Sequence, residues 1–238
     1  MISPHRVQIG QTIANLWTPP QYLPSANKSI CHLRQSVADY IRRHPEFYYT
    51  LKPFPDSGDC KSEIIRRMID AAALAQVGPM AAVAGVIADI VVHDLVEQGA
   101  PYAIMDNGGD IALYLAEPIT IGLYTGRTVS TGIGLRIEQC GRFFALCTSS
   151  RVIGHSLSFG ITDCASIWAN DGAVADAFAT ALGNALTSPE IHSLQDTLNK
   201  FLDYPILGCI AVIQQQIGFA GELPEFCEAE IDSSLIAQ

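Results

Sequence analysis

"PYAIMDNGGDIALYLAEPITIGLYT", residues 101–125, decides how the rest of the chain is read. Before Pro101 the apolar residues recur at helical spacing. After it they come in short or alternating runs broken by Gly, Asn, Asp and Pro. That change of period marks a meander of strands. One corner of it, Asn107-Gly108-Gly109 between Asp106 and Asp110, carries more than a hairpin needs. Asn107–Gly108 alone would satisfy a two-residue turn. The added Gly109 and the flanking acids point to a backbone that leaves room for a ligand, with Asn107 fixing polar atoms beside it.

Upstream, residues 5–17 alternate loosely and read as a strand, "PPQYLPS" as a loop, and residues 27–43 as a helix ending before Pro45. "FYYTLKPFPDSGD" reads as extended and then turning, because Pro53, Pro55 and Gly58 forbid a regular element. Residues 61–76 form a helix. Gly78–Pro79 punctuates it and sets Pro79 as the first residue of the next helix, which runs to about Gln98 and stops at Gly99. Downstream, "GLRIEQ", "FFALCTS" and "ITDCASIWAN" are strands, and residues 172–186 and 190–201 are helices. "ILGCIAVIQQ" and "IGFAG" make a hairpin-like pair before an acidic tail that reads as loose. Helices in runs and strands in runs mean α+β. The 238 residues fit a single domain over 1–238, and the order strands, helix pair, strands hints at two similar halves, about 1–125 and 126–238.

Composition narrows the functions. Hydrophobic residues make up 49% of the chain and charged residues 16%, so the chain is compact. A formal net charge of −10 argues against a non-specific nucleic-acid binder, which needs a basic surface. A phosphorylated ligand would need backbone N–H groups or a metal ion to supply a positive field. The seven cysteines include no CxxC pair and sit mostly in apolar runs, as buried reduced thiols do. The opening residues show no basic start followed by an apolar stretch and no lipidation cysteine, which leads us to expect a cytoplasmic protein. The apolar run 79–96 is interrupted by Asp89, His93 and Asp94 and reads as a core helix rather than a membrane span.

Three segments could carry chemistry. In "DGAVADAFATALGNAL", Asp171 is a plausible N-cap, and Asp176, Thr180 and Asn184 lie at i, i+4, i+8 on one face among alanines. A carboxylate and a hydroxyl one turn apart can offer two hard oxygen ligands to a small cation such as Mg²⁺. The same stripe could instead hydrogen-bond a neighbouring segment. In "GPMAAVAGVIADIVVHDLVEQG" a mid-helix Gly85, costing about 1 kcal/mol relative to alanine, serves close helix packing or close approach of a ligand. Asp89, His93 and Glu97 on that helix read as an ordinary solvent-facing stripe. In "TSSRVIGHSLSFG", His155 lies in a loop of small residues with Ser149 and Ser150 ahead of it, as in a loop that wraps something.

Taken together these segments resemble the ApbE superfamily of flavin transferases, and most closely its UPF0280 (DUF375) branch. "GPMAAVAGVIAD", "GHSLSFG" and the spacing to "ADAFATALGNAL" carry the closer match, over roughly residues 60–220. The resemblance implies an ApbE-like fold: two T-fold-type halves with antiparallel sheets and packed helices. It implies Mg²⁺ held by Asp176 and Thr180 beside the diphosphate of FAD. The pocket would be shaped by Gly85, Asn107, Gly108, Gly109, Asp110 and Ser149, with His155 as general acid or base. The implied activity is cleavage of FAD, or transfer of FMN to a threonine of a protein acceptor. Ala84 stands where the family has the lysine of a Lys-Gly pair, and Ser156 to Phe159 replace its Asp-Pro loop. A non-catalytic flavin or nucleotide sensor or carrier is the alternative, and a binder of another small molecule a third reading. Neither a nucleic-acid nor a membrane partner is expected, and a homo-oligomer is compatible with the sequence.

Overall fold

A computed structural model describes residues 4–55, 61–123, 132–138, 140–150, 162–214 and 216–229. The chain opens with a hairpin of β1 (His5–Ile9) and β2 (Thr12–Trp17). The helices α1 (Leu23–Arg43), α2 (Glu46–Tyr49), α3 (Glu63–Ala75) and α4 (Val83–Glu97) follow. A second pair of strands, β3 (Ala103–Asp106) and β4 (Asp110–Tyr114), comes next, and then β5 (Ile119–Gly122) and β6 (Ile133–Ile137). The pattern then recurs. A pair of strands, β7 (Phe143–Ser149) and β8 (Cys164–Ala169), leads to α5 (Gly172–Ala185) and α6 (Ile191–Phe201). The pair β9 (Gly208–Ile213) and β10 (Gln216–Gly221) follows, and β11 (Glu225–Glu228) ends the described chain.

One eight-stranded sheet runs β1-β2-β3-β4-β7-β8-β9-β10, antiparallel throughout, with β4 and β7 paired at its centre. On each side of that centre the order is strand pair, helices, strand pair. The helices cover one face. There α4 lies on β3 and β4, α5 lies on β7 and β8, and the two helices pack on each other. A three-stranded sheet, β11-β6-β5, covers the other face over Leu113, Phe144, Leu146, Trp168 and Ile210. The apolar run 79–96 is indeed a core helix, since Val86, Ala88, Val91 and Leu95 are fully buried within it.

Five local expectations differ from the structure. Residues 5–17, read as a strand, are the hairpin of β1 and β2, which turns at Gly10 with a positive φ of 59°. The first helix begins at Leu23, not 27, with a 3-10 turn Pro20–Tyr22 ahead of it; Pro20 and Pro24 lie in first turns, where a missing N–H costs nothing. The stretch read as extended holds the short helix α2, anchored by buried Phe47 against Tyr40 and Phe54. The tail read as loose contains β11, whose pairing to β6 is non-local and invisible in an acidic run. The corner is centred on Gly108–Gly109, not Asn107–Gly108. Both glycines have positive φ (75° and 98°), and the Asn107 N–H donates to the Asp110 carbonyl across them. A tight hairpin of the I′ kind needs positive φ at both central residues, so the turn itself requires both glycines.

Candidate functional site

The site grows from the crossing of α4 and α5. At that crossing the two backbones meet through glycines. A Cβ on Gly85 would lie 2.2 Å from the Gly172 carbonyl oxygen and 2.6 Å from Asp176 Cβ. A Cβ on Gly172 would lie 2.5 Å from the Gly85 oxygen. Asp171 caps α5, accepting from the Val174 N–H at 2.9 Å, as its position before the Ala-rich run suggested. One turn into α5, Asp176 is buried, and its Oδ2 accepts from the Gly85 N–H at 2.8 Å. The polar stripe is therefore graded: Asp176 is buried, while Thr180 and Asn184 are half-buried.

The β3–β4 corner closes over the start of α4. Asn107 Nδ2 donates to the Ala84 carbonyl at 3.0 Å, which ties the turn to the residue beside Gly85. Asp106 Oδ1 accepts from the Gly109 N–H at 2.8 Å. Beside Gly108 there is open space among the described residues: a Cβ there would meet none of their atoms within 4 Å. Asp110 opens β4 opposite Cys147 of β7, on the helix-facing side of the sheet. Cys147 in turn places its thiol 3.7 Å from the Gly172 carbonyl. Two residues further along β7, on the same face, Ser149 is 6% exposed. Among the described residues, Asp110 Oδ1 and Ser149 Oγ are buried oxygens without a hydrogen-bond partner.

Electrostatics single out this cluster. Burial pushes the Asp176 carboxyl up to about 7, although the N–H groups of Gly85 and Ala84 work to lower it. Burial, and then the charges of Asp176 and Asp106, hold Asp110 well above the usual carboxylate range; the Cys147 thiol and Thr148 N–H offset this only in part. Burial and the neighbouring acids push the Cys147 thiol well up, so it is no nucleophile at neutral pH. A pair of buried acids, one raised by the charge of the other, is a place where a cation is stabilising. Among the described residues no three His, Cys, Asp or Glu side chains are placed to share a metal ion. A Mg²⁺ ion does not require such a cluster, since it takes one or two carboxylates and completes its shell with hydroxyls, carbonyls, water or phosphate.

Of the residues singled out in the sequence, the structure brings together Gly85, Asn107, Gly109, Asp110, Ser149 and Asp176 around this crossing. Gly108 borders it, and Thr180 lies on the same face of α5 one turn from Asp176. His155 lies outside the described residues. The stripe Asp89, His93, Glu97 does not simply face solvent: Asp89 is 3% exposed, His93 stacks on Phe143 with ring centroids 3.6 Å apart, and Glu97 alone is exposed. Asp89 is buried because Arg67 of α3 reaches it, and the same Arg67 Nη2 lies 2.8 Å from Asp171 Oδ2. Burial raises Asp89, and the Arg67 guanidinium pulls it back. Sequence reasoning missed Arg67, since one arginine on an amphipathic helix reads as surface.

Comparison with known proteins agrees with this architecture. A family model described as "AbpE bacteria" matches residues 13–199. The chain is 37% identical to a UPF0280 protein of Methanocella arvoryzae over 234 residues, covering 98% of this chain and 94% of that one. It is 38% identical to a UPF0280 protein of Methanothrix thermoacetophila over 232 residues, 97% of each. The Archaeoglobus fulgidus UPF0280 protein is 37% identical over 238 residues, 98% of each. Among solved structures, a mutant of the flavin transferase ApbE from Vibrio cholerae superposes with a TM-score of 0.58 at 15% identity, covering 94% of this chain and 98% of that one. The apo form of Pseudomonas stutzeri flavinyl transferase ApbE gives 0.59 at 11% identity, covering 94% and 96%. At these identities the likeness is one of fold, α+β and ApbE-like.

Proposed function

This chain belongs to the UPF0280 family and has the ApbE-like fold, and from that premise we propose that it binds FAD or a related dinucleotide at the α4–α5 crossing and acts on the diphosphate. The observation that carries the reading is the pair Asp110 and Asp176: two buried carboxyls, both raised by burial and Asp110 further by the charge of Asp176, with Asp110 Oδ1 left without a partner and open space at Gly108 among the described residues. A Mg²⁺ ion held by Asp176 and Thr180 would offset charge developing on the phosphoryl oxygens. A bound cation would also favour the ionised form of Asp110, which lies close enough to Asp176 to feel its charge. The start of α4 and the Gly108–Gly109 turn bound the space for the ligand, and Ser149 supplies a hydroxyl at its wall. His155 takes the proton from the attacking oxygen, of water or of an acceptor threonine, as a P–O bond forms. The bond to the AMP phosphate breaks, and AMP leaves with FMN released or transferred. We place this activity in the cytoplasm, where thiols such as Cys147, Cys164 and Cys209 stay reduced.

A sensor or carrier that binds flavin without turnover is the second reading. It draws support from Ala84, which brings no cation to the site and whose carbonyl is taken by Asn107. One assay separates the two. The purified protein is incubated with FAD and MgCl₂, and AMP is followed by chromatography. Mg²⁺-dependent AMP that disappears in Asp176→Ala and slows in His155→Ala supports the enzyme. A rise in melting temperature with FAD but no AMP supports the sensor. No response to FAD or FMN of either kind removes flavin from the reading and leaves a different small molecule.

A further inference from the structure

Arg67 occupies a junction that none of the chemistry above uses. Its Nη2 contacts Asp89 on α4 and Asp171 at the cap of α5, so one side chain of α3 fastens the two helices whose crossing builds the site. Asp171 is divided between two tasks. Its Oδ1 holds the Val174 N–H and its Oδ2 faces Arg67. Because that cap sets where α5 begins, it also sets the height of Asp176 one turn later against the Gly85 N–H. The glycine contact makes this placement stiff. Gly172 and Gly85 meet backbone to backbone, and Gly172 also abuts Asp89, whose Cβ would lie 2.7 Å from a Cβ built there. With two backbones in contact there is no flexible side chain to absorb a shift of α5.

We propose that Arg67 is a positioning residue for the cation site, fixing α5 against α4 so that the Asp176 carboxylate stands at ligating distance from its partners. The proposal rests on the reading of Asp176 and Thr180 as Mg²⁺ ligands and deepens it. Outer groups that orient a metal ligand typically contribute tenfold or more to affinity. Arg67 also neutralises Asp89 and Asp171, and deleting it alone would change the charge near the site as well as the geometry. The informative variant is therefore charge-neutral: Arg67→Met with Asp89→Asn. It removes one positive and one negative charge from a buried pair whose replacement by neutral groups costs little stability. Asp171 keeps its cap in this variant.

Isothermal calorimetry with MgCl₂ alone, on the full chain, reads the result. Positioning predicts about tenfold weaker Mg²⁺ binding in the pair variant, with a melting temperature near that of the parent. Arg67→Lys, which keeps the charge but loses the planar guanidinium that reaches both carboxylates, falls between the two, with affinity reduced several-fold. A merely structural role lowers the melting temperature and leaves the Mg²⁺ affinity unchanged, and that outcome overturns the proposal. If the pair variant fails to fold, Arg67→Lys decides: wild-type stability with affinity reduced several-fold supports positioning, and wild-type affinity overturns it. Absence of Mg²⁺ binding by the parent protein would remove the cation site itself and this proposal with it. Equal Mg²⁺ affinity in the parent and the pair variant removes only the role of Arg67.

Discussion

On the small-sheet side of β4, β7 and β8 stand Leu113, Phe144, Leu146 and Trp168; on the helix side of the same strands stand Asp110, Ala112, Ala145, Cys147, Ser149 and Ala169. Successive residues of a strand point to opposite faces, so one sheet offers two surfaces of different chemistry. The first is filled by large side chains; Phe144 and Trp168 stack with ring centroids 4.7 Å apart. The second is lined by small residues, which let α4 and α5 come close, and by polar groups that the protein leaves partly unpaired. Burial on the first side secures the fold. On the second it raises two carboxyls and leaves two oxygens without partners among the described residues, a cost that binding a cation and ligand would offset.

Trp168→Ala is the strongest way to test whether the two faces are separable. Removing a large buried aromatic costs about 4 kcal/mol, read as a lower midpoint in urea, while the Mg²⁺ response should survive in the folded fraction. Loss of Mg²⁺ binding with the fold intact would mean that the apolar face shapes the site as well. Gly85→Ala attacks the other face. Its new methyl meets a backbone oxygen at 2.2 Å rather than a movable side chain, so overpacking costs about 3 kcal/mol and the helices must part. Mg²⁺ affinity should fall with stability here. Wild-type affinity in a destabilised Gly85→Ala would uncouple the crossing from the site.

A milder probe uses pH. The Asp176 carboxyl titrates near 3.8 when unfolded and near 7 when folded. Its folded value is raised, so the stability associated with its protonated form is full below pH 4 and is lost as pH rises towards 7. Metal-free protein should lose stability steadily across that window, and Asp176→Asn, which can still accept from the Gly85 N–H, should flatten the slope. Added Mg²⁺ favours the ionised form, so its stabilising effect should grow as pH passes 7. An unchanged slope in Asp176→Asn would assign the titration to other groups, with Asp110 the first to examine.

Much of the fold was legible because it is written locally. The shift of period at Pro101, the Gly78–Pro79 break and the cap at Asp171 each act within a few residues, and the strands and long helices fell close to where those signals put them. What failed was non-local. β11 exists because β6 offers it a ladder, and Asp89 is buried because Arg67 arrives from another helix. The site was legible in part: Asp176 and Gly85 carry spacing and a conformational cost that demand explanation, and they prove to touch. Asp110 drew notice as a flank of the turn and, through the family resemblance, as one of the pocket residues. Its importance comes from lying across from Cys147 and near Asp176, a pairing set by sheet register.

The smallest effect bears on the question raised by the corner itself. Both glycines are needed by the turn, so their presence no longer argues for a ligand; the open space beside Gly108 still does. Gly108→Ala separates these causes. At φ 75° a Cβ costs about 1 kcal/mol from backbone strain, and none of the described residues lies within 4 Å of the new methyl to add a steric penalty. The melting temperature should therefore drop by a few degrees and no more. If FAD lies against this turn, the methyl occupies part of its space, and the stabilisation by FAD should shrink well beyond what the strain accounts for. Equal FAD-induced shifts in Gly108→Ala and the parent would place the ligand elsewhere along the crossing, and would leave the turn as a hairpin whose glycines serve the backbone alone.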